Sequence, residues 1–501
     1  MRSHILVAMS AAGVTMLGGA ASAAARPAAA AEPAANASPE LVAAQLRDTA
    51  MSGQNLAFSF VSELTSRFGP RPAGSASEQH AAVWVAERLK ALGFANVRVE
   101  SFPVTGWVRG TERAQIVAPN EQPLSVAALG ESPPTPSGGL EGEVVIFSNF
   151  EELIAAPVGS LDGRIAMVTH QMVRMQDGSG YDPVRAAREH GPEEAAKRGA
   201  IAFLLRSLGT DSHRLPHTGS TAYVDGRVPL PSFALSAPDA DQLERLASLD
   251  ETVRVRLFST ASYVKGTHSQ NVVADIPGRE RPQEVVLLGA HLDSWDQGTG
   301  AIDDAAGDAI VTAAADLIRD LPRKPRRTIR VVLFGSEEVA QPSAPFDAFG
   351  GHAYASNHSG ELGTHVLAGE SDFGSDRVYA VALPKVVTDA EFGKSVYRVL
   401  EPIGILRARA PVDDPGTDVG PSVEAGVPAF QLRQDGTRYF DVHHTADDTL
   451  DKIDRQQLDQ NVAAWAALAW LAADSDVNFR SPPATEQSAP PGTEQSAPPG
   501  N

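Results

Sequence analysis

Histidines and carboxylates crowd into four short stretches of this chain. They are His291-Leu-Asp-Ser-Trp-Asp296 running on to Gly300-Ala-Ile-Asp-Asp304, then Gly335-Ser-Glu-Glu338, Glu370-Ser-Asp372 and His443-His-Thr-Ala-Asp-Asp-Thr449. The chain has no cysteine, so any metal site must be built from His, Asp and Glu. Those donors suit zinc, and they also accept manganese or cobalt. Three carboxylates and a hydroxide would balance the charge of two zinc ions, and zinc lowers the pKa of bound water to about 7. The chemistry indicated is metal-dependent hydrolysis.

Apolar runs explain how these residues could be delivered to one place. Val285-Val-Leu-Leu-Gly289 leads into His291, and Ile329-Arg-Val-Val-Leu-Phe334 leads into Glu337-Glu338. Both read as buried strands, and open α/β folds bind ligands at the carboxyl ends of such strands. After Asp304, Ile310, Ala313, Ala314, Leu317 and Leu321 recur at the spacing of one buried helix face. Leu458, Val462, Trp465 and Ala469 do the same in a final helix from Gln456 to Ala473. Near the start, Ser38-Pro39 is an N-cap with proline at the first helical position. Helical stretches through Leu46 and through Phe58, Val61 and Leu64 follow it, until Gly69-Pro-Arg-Pro-Ala-Gly74 interrupts. A further helix carries Ala81, Val83, Val85, Leu89 and Leu92 on or near one face and stops at Gly93.

Composition and texture divide the chain. Its 501 residues are 43% apolar and carry a net charge of −20. That length can bury a large core in more than one domain, and the acidity excludes nucleic acid or an anionic membrane as partner. Arg2 and His4, the run Ile5-Leu-Val-Ala-Met9 and the Ala21-Ser-Ala23 step form a signal-peptide pattern over residues 1–23. Export to a secreted or periplasmic location is the expectation. No membrane span is expected after it. Residues 24–37 and 478–501, rich in Ala and Pro, read as disordered; the tail repeats Thr-Glu-Gln-Ser-Ala-Pro-Pro-Gly twice. From Pro133-Pro-Thr-Pro the texture changes to short strand-like runs at 143–147, 164–168 and 201–205, with a helical Glu193–Arg198 before the last. The simplest layout is a catalytic α/β domain in two segments, 38–129 and 261–477, split by a β-rich insertion at 130–260.

The residues alone leave three choices open: Asp303 or Asp304, His443 or His444, and Asp372 or Asp376. Read together, His291-Leu-Asp-Ser-Trp-Asp296, Gly300-Ala-Ile-Asp-Asp304 and Glu370-Ser-Asp372 resemble the co-catalytic di-zinc aminopeptidase family (zinc exopeptidases), most of all its carboxypeptidase Q branch. The likeness covers roughly residues 40–475. Leu161-Asp-Gly-Arg-Ile-Ala-Met-Val168, Gly199-Ala-Ile-Ala-Phe203 and Val228-Pro-Leu-Pro-Ser-Phe-Ala234 make the insertion similar to a protease-associated domain.

The resemblance implies a doubly wound α/β fold around a mixed sheet, and two Zn²⁺ per chain. It assigns His291 and Asp372 to one zinc, Glu338 and His444 to the other, Asp303 as bridge and Glu337 as general acid/base acting on a metal-bridged hydroxide. Asp293, two residues beyond His291, is expected to hydrogen-bond its imidazole. Relatives of this branch are dipeptidases that work from the free amino end, so a peptide is the expected partner, with a homodimer allowed. The alternatives are a broad aminopeptidase on longer peptides, a single-zinc cyclase of glutaminyl peptides, which needs fewer ligands, and an inactive binding protein of the same fold. In this chain the loop Val339–Gly350 departs from the family by its length and two prolines. Trp295 and Asp418 each divide between a site role and a packing or turn role, and Arg433, Arg438 and Tyr439 are candidates to read a substrate carboxylate.

Overall fold

A computed structural model describes residues 37–342 and 348–480. The signal-peptide expectation, residues 24–36, residues 343–347 and the tail beyond residue 480 lie outside the described residues.

A five-stranded sheet carries the fold. Its order is Ala95–Val108, Ser262–Ile276, Arg327–Phe334, Arg281–His291 and His365–Glu370. The last three strands run parallel, and the two long outer ones pair antiparallel, so the sheet is mixed. Alternation along each strand feeds two cores. Val286, Leu288, Ala290, Val331 and Leu333 pack on the side that includes helices Ala305–Arg319 and Arg455–Ala473. Val273, Leu287, Val332 and Phe334 pack on the other, with Tyr354 and Val419. Helices therefore cover both faces, which is why the strands read as unbroken apolar runs instead of alternating ones. All four apolar positions read in the final helix are buried, with Trp465 set edge-on to Phe430 at 5.2 Å. The helix Ala76–Leu92 differs in one detail: Val83 is 53% exposed, because it lies two residues from Ala81 and so points off the buried face.

An eight-stranded sheet is drawn entirely from residues 112–259 and has its own apolar core. It begins at Glu112, ahead of residue 130, because Glu112–Ala118 pairs with Arg254–Ser259 and Val126–Ala128 pairs with Ser232–Leu235. Pro133-Pro-Thr-Pro falls between the strands Val126–Ala128 and Leu140–Phe147, inside this sheet's span and not at its edge. A three-stranded sheet of Leu406–Arg407, Val378–Ala382 and Gln431–Gln434 completes the set. No helix among the described residues is long and apolar enough to cross a membrane.

Arg71, from the interruption between the N-terminal helices, is fully buried and ties down the loop that follows His291. Its guanidinium donates to the carbonyls of Leu292 (2.7 Å), Thr299 (2.8 Å) and Gly300 (3.0 Å), and its amide donates to Ser294 Oγ (3.0 Å). Beyond that loop, Gly307 admits no side chain, since a Cβ there would lie 2.0 Å from the Ser371 carbonyl. Arg71 also supplies the positive field for buried Asp308, whose carboxyl burial pushes up to about 8 against that attraction. Replacing one member of such a buried charge set leaves its partners uncompensated. Arg71→Met should therefore lower the urea unfolding midpoint by the equivalent of about 3–5 kcal/mol. An unchanged midpoint would show that the loop holds itself.

Candidate metal centre

Three of the expected donors arrive on the ends of parallel strands or just past them. His291 closes its strand, Glu338 follows the strand ending at Phe334, and Asp372 follows the strand ending at Glu370. Asp303 sits in the loop before helix Ala305–Arg319. The register His291↔Phe334 and Gly289↔Glu370 sets these ends side by side. His444 arrives from the far side, after the short helix Tyr439–Val442.

The five converge. His291 Nε2 lies 3.1 Å from Asp303 Oδ1 and 3.2 Å from Asp372 Oδ1. His444 Nε2 lies 3.0 Å from Glu338 Oε2 and 3.4 Å from Asp303 Oδ2. The two oxygens of Asp303 thus face two separate histidine–carboxylate pairs. Asp372 is partly open to a cavity; the other four are buried. Among the described residues three groups could hold a metal ion: Asp303, His443 and His444; His291, Asp303 and Glu338; and His291, Asp304 and Asp372. Asp304 turns away to cap the next helix, accepting from Gly307 N at 3.0 Å and His291 N at 3.2 Å. Asp376 pairs with Arg438 instead. His443 stacks on His444 at 3.5 Å between ring centres, but its Nε2 stands 3.8 Å from Asp303.

Electrostatics here are those of anions crowded away from water. Burial, then Asp303 and Glu337, hold Glu338 well above the ordinary carboxylate range. Burial lifts Asp372 to about 6. For His291, burial opposes protonation, but Asp372 and Asp303 outweigh it and raise its pKa well above the usual value. Burial lowers His444 to about 3, leaving a neutral imidazole able to donate a lone pair. Glu338 Oε1 is buried with no hydrogen-bond partner among the described residues. Neutral imidazole, clustered carboxylates and an unpartnered buried oxygen are a donor set that divalent cations fit.

Asp293 works differently from the expectation. The imidazole Nδ1 of His291 meets its main-chain carbonyl, at 3.0 Å, while the carboxylate stands 3.8 Å off. That carboxylate instead accepts from the amides of Glu337 (3.0 Å) and Glu338 (3.3 Å), because the chain leaves strand geometry after His291 and turns the side chain toward the neighbouring strand end. One residue so braces both histidine and the glutamate pair. Ser336 and His444 hold left-handed backbone, at φ 57° and 60°. Non-glycine residues in that region concentrate at functional sites.

Several neighbours support these donors, and sequence reasoning missed some of them. Asp448, quoted within the His443–Thr449 motif without a role, accepts from the amides of Ala301 (2.8 Å), Ile302 (2.6 Å) and Asp303 (3.2 Å) and shapes the loop that carries Asp303. Tyr439 hydrogen-bonds Asp303. The eight-stranded sheet contributes Thr218, whose carbonyl lies 3.3 Å from His444 Nδ1 and whose amide donates to the His444 carbonyl at 3.0 Å. Trp295 packs between His444 and Gly130, where a Cβ would lie 2.2 Å from the indole. Asp418 accepts from Gly351 N at 2.8 Å. The loop after Glu338 is pinned at its start, Ala340 N donating to Ser220 Oγ (3.0 Å) and Gln341 Oε1 accepting from Thr105 N (2.7 Å). His217, His358 and His365 engage Asp211, Glu100 and Tyr354 instead of the five donors.

Asp303, Glu337, Glu338, Asp372 and His444 open on one cavity of about 450 Å³. Its far walls come from 177–188 of the eight-stranded unit and from 413–417 and 431–434.

Residues 271–469 match peptidase family M28. Mouse carboxypeptidase Q is 33% identical over 439 residues, 87% of this chain and 90% of its own, and the human protein is 31% identical over 84% of this chain and 86% of its own. The crystal structure of a peptidase M28 precursor from Shewanella amazonensis superposes with a TM-score of 0.83 at 42% identity, covering 89% of this chain and 99% of that one. A zinc aminopeptidase from Bacillus subtilis shares the fold at 18% identity, with a TM-score of 0.59 over 85% of this chain and 97% of its own. With its strand-end carboxylates and histidines in that fold, this chain belongs to peptidase family M28, among relatives of the carboxypeptidase Q type.

Proposed function

We propose that this protein is an exported di-zinc exopeptidase that removes the N-terminal residue of dipeptides or short peptides. The carrying observation is the carboxylate of Asp303, one oxygen toward His291 and the other toward His444. In this reading His291 and Asp372 hold one zinc, Glu338 and His444 the other, and Asp303 both. Bound there, the ions would supply Lewis acidity toward a carbonyl oxygen and lower the pKa of water.

The chain's own residues do the proton work. Glu337 projects into the cavity beside Glu338, its amide fixed by Asp293. It takes the proton from the attacking water and delivers it to the amine nitrogen as the C–N bond breaks. Asp293 and Thr218 hold the two imidazoles by their outer nitrogens, so that each inner nitrogen faces the carboxylates. The small cavity suits a short substrate. The signal-peptide pattern supports export.

Glu337→Gln keeps every proposed ligand but loses the proton carrier. It should bind two zinc ions per chain by elemental analysis while kcat falls by about 10²–10⁴-fold. Retained turnover would remove Glu337 from the mechanism. Chelation of the wild type should abolish hydrolysis of alanyl-alanine, and added zinc should restore it. Activity persisting after both metals are stripped would overturn the di-zinc reading, and equal turnover of hexapeptides would make the enzyme a broad aminopeptidase.

A further inference from the structure

Three arginines line the cavity together with the donor carboxylates: Arg185, Arg188 and Arg433. Arg188 is buried and spent on the Ser220 carbonyl (3.0 Å) and the Tyr181 hydroxyl. Arg185 is 45% exposed and pairs with Glu189 one turn along its own helix. Arg433 is different. It stands on the strand Gln431–Gln434, only 16% exposed, and is aimed by Gln431 Oε1 (3.2 Å), the Pro411 carbonyl (3.0 Å) and Tyr379. Its anionic partner is Asp413, 2.7 Å away and 58% exposed, on a loop that also lines the cavity. Arg438, the other arginine of this stretch, faces Asp376 in a neighbouring cavity.

We propose that Arg433 is the receptor for the C-terminal carboxylate of a dipeptide substrate, with Asp413 as a stand-in that the substrate displaces. This rests on the dipeptidase reading above. A guanidinium pre-aimed by a strand and three neighbours recognises a carboxylate through paired N–H donors, with little ordering left to do. An exposed aspartate on a loop is a weak competitor, since such surface pairs contribute little. The Asp413 side chain thus keeps the arginine oriented in the free enzyme and yields to an anion delivered by the peptide. Arg433 lines the same cavity as Asp303, Glu337, Glu338 and Asp372, so one short peptide can span both.

The test compares zinc-loaded wild type, Arg433→Gln, Asp413→Asn and Arg185→Gln on alanyl-alanine and alanyl-alanine amide. Wild type should favour the free acid. Arg433→Gln should raise KM for the acid by about 10- to 100-fold while leaving kcat/KM for the amide within about 3-fold, the cost of removing a hydrogen-bonded charge partner from a specific site. Asp413→Asn should lower KM for the acid by about 2- to 5-fold, a gain that misfolding cannot mimic. Arg185→Gln should keep the wild-type preference. A preference that survives in Arg433→Gln, equal losses on both substrates, or a preference lost in Arg185→Gln would overturn the assignment of Arg433. Wild type cleaving both substrates alike would instead overturn the dipeptidase reading itself.

Discussion

Asp303 shares one carboxylate between two buried histidines, and the rest of the centre is arranged around that sharing. A carboxylate placed so, with Glu338 and Asp372 beside it, concentrates negative charge where water cannot screen it. Protein cations answer only part of it. Arg71 answers Asp308 and fastens the loop after His291. The remaining field favours divalent cations, which is the physical basis of metallopeptidase chemistry in such a fold. The same crowding accounts for the amides aimed at Asp448, Asp293 and Glu370, each a charge spread over backbone donors.

Rigid elements supply the positions and loops supply the chemistry. Parallel strands end at one edge, so the residues that follow them meet without any long-range coil having to be ordered. What the strands do not supply comes from the eight-stranded unit: Thr218 against His444, Gly130 under Trp295, and a wall of the cavity from 177–188. Arg109, just ahead of that unit, binds Asp296 of the loop after His291 at 2.7 Å, and Arg174 of the unit binds Asp441, three residues from His444, at 2.6 Å. The second sheet is thereby part of the site's construction and not an appended module.

Much of this was legible in residue order. Unbroken apolar strands declared a sheet covered on both faces, because a strand with a wet face would alternate. The cap that Asp304 places on the helix after it, accepting from Gly307 N, was not legible there, since the residues alone left Asp303 and Asp304 open. Position 83 misled because valine is apolar wherever it points, whereas burial depends on angle around the helix. The start of the eight-stranded sheet at Glu112 escaped notice because its partner strand lies at 254–259, far along the chain. Arg71 escaped because its value comes from four distant carbonyl and hydroxyl groups that no local pattern displays.

By itself, then, the order of residues determined the donor types, the lack of any thiolate, and the strand runs that carry His291 and Glu338, since these follow from side-chain chemistry and period. Tertiary structure decided which nitrogen and which oxygen face inward. It turned His444 Nε2, and not that of His443, toward Glu338, and gave His291 a main-chain carbonyl where a carboxylate had been expected. Those outcomes depend on backbone dihedrals at single residues and on contacts from another sheet, such as Thr218 on His444, and direction of that kind has no one-dimensional signature.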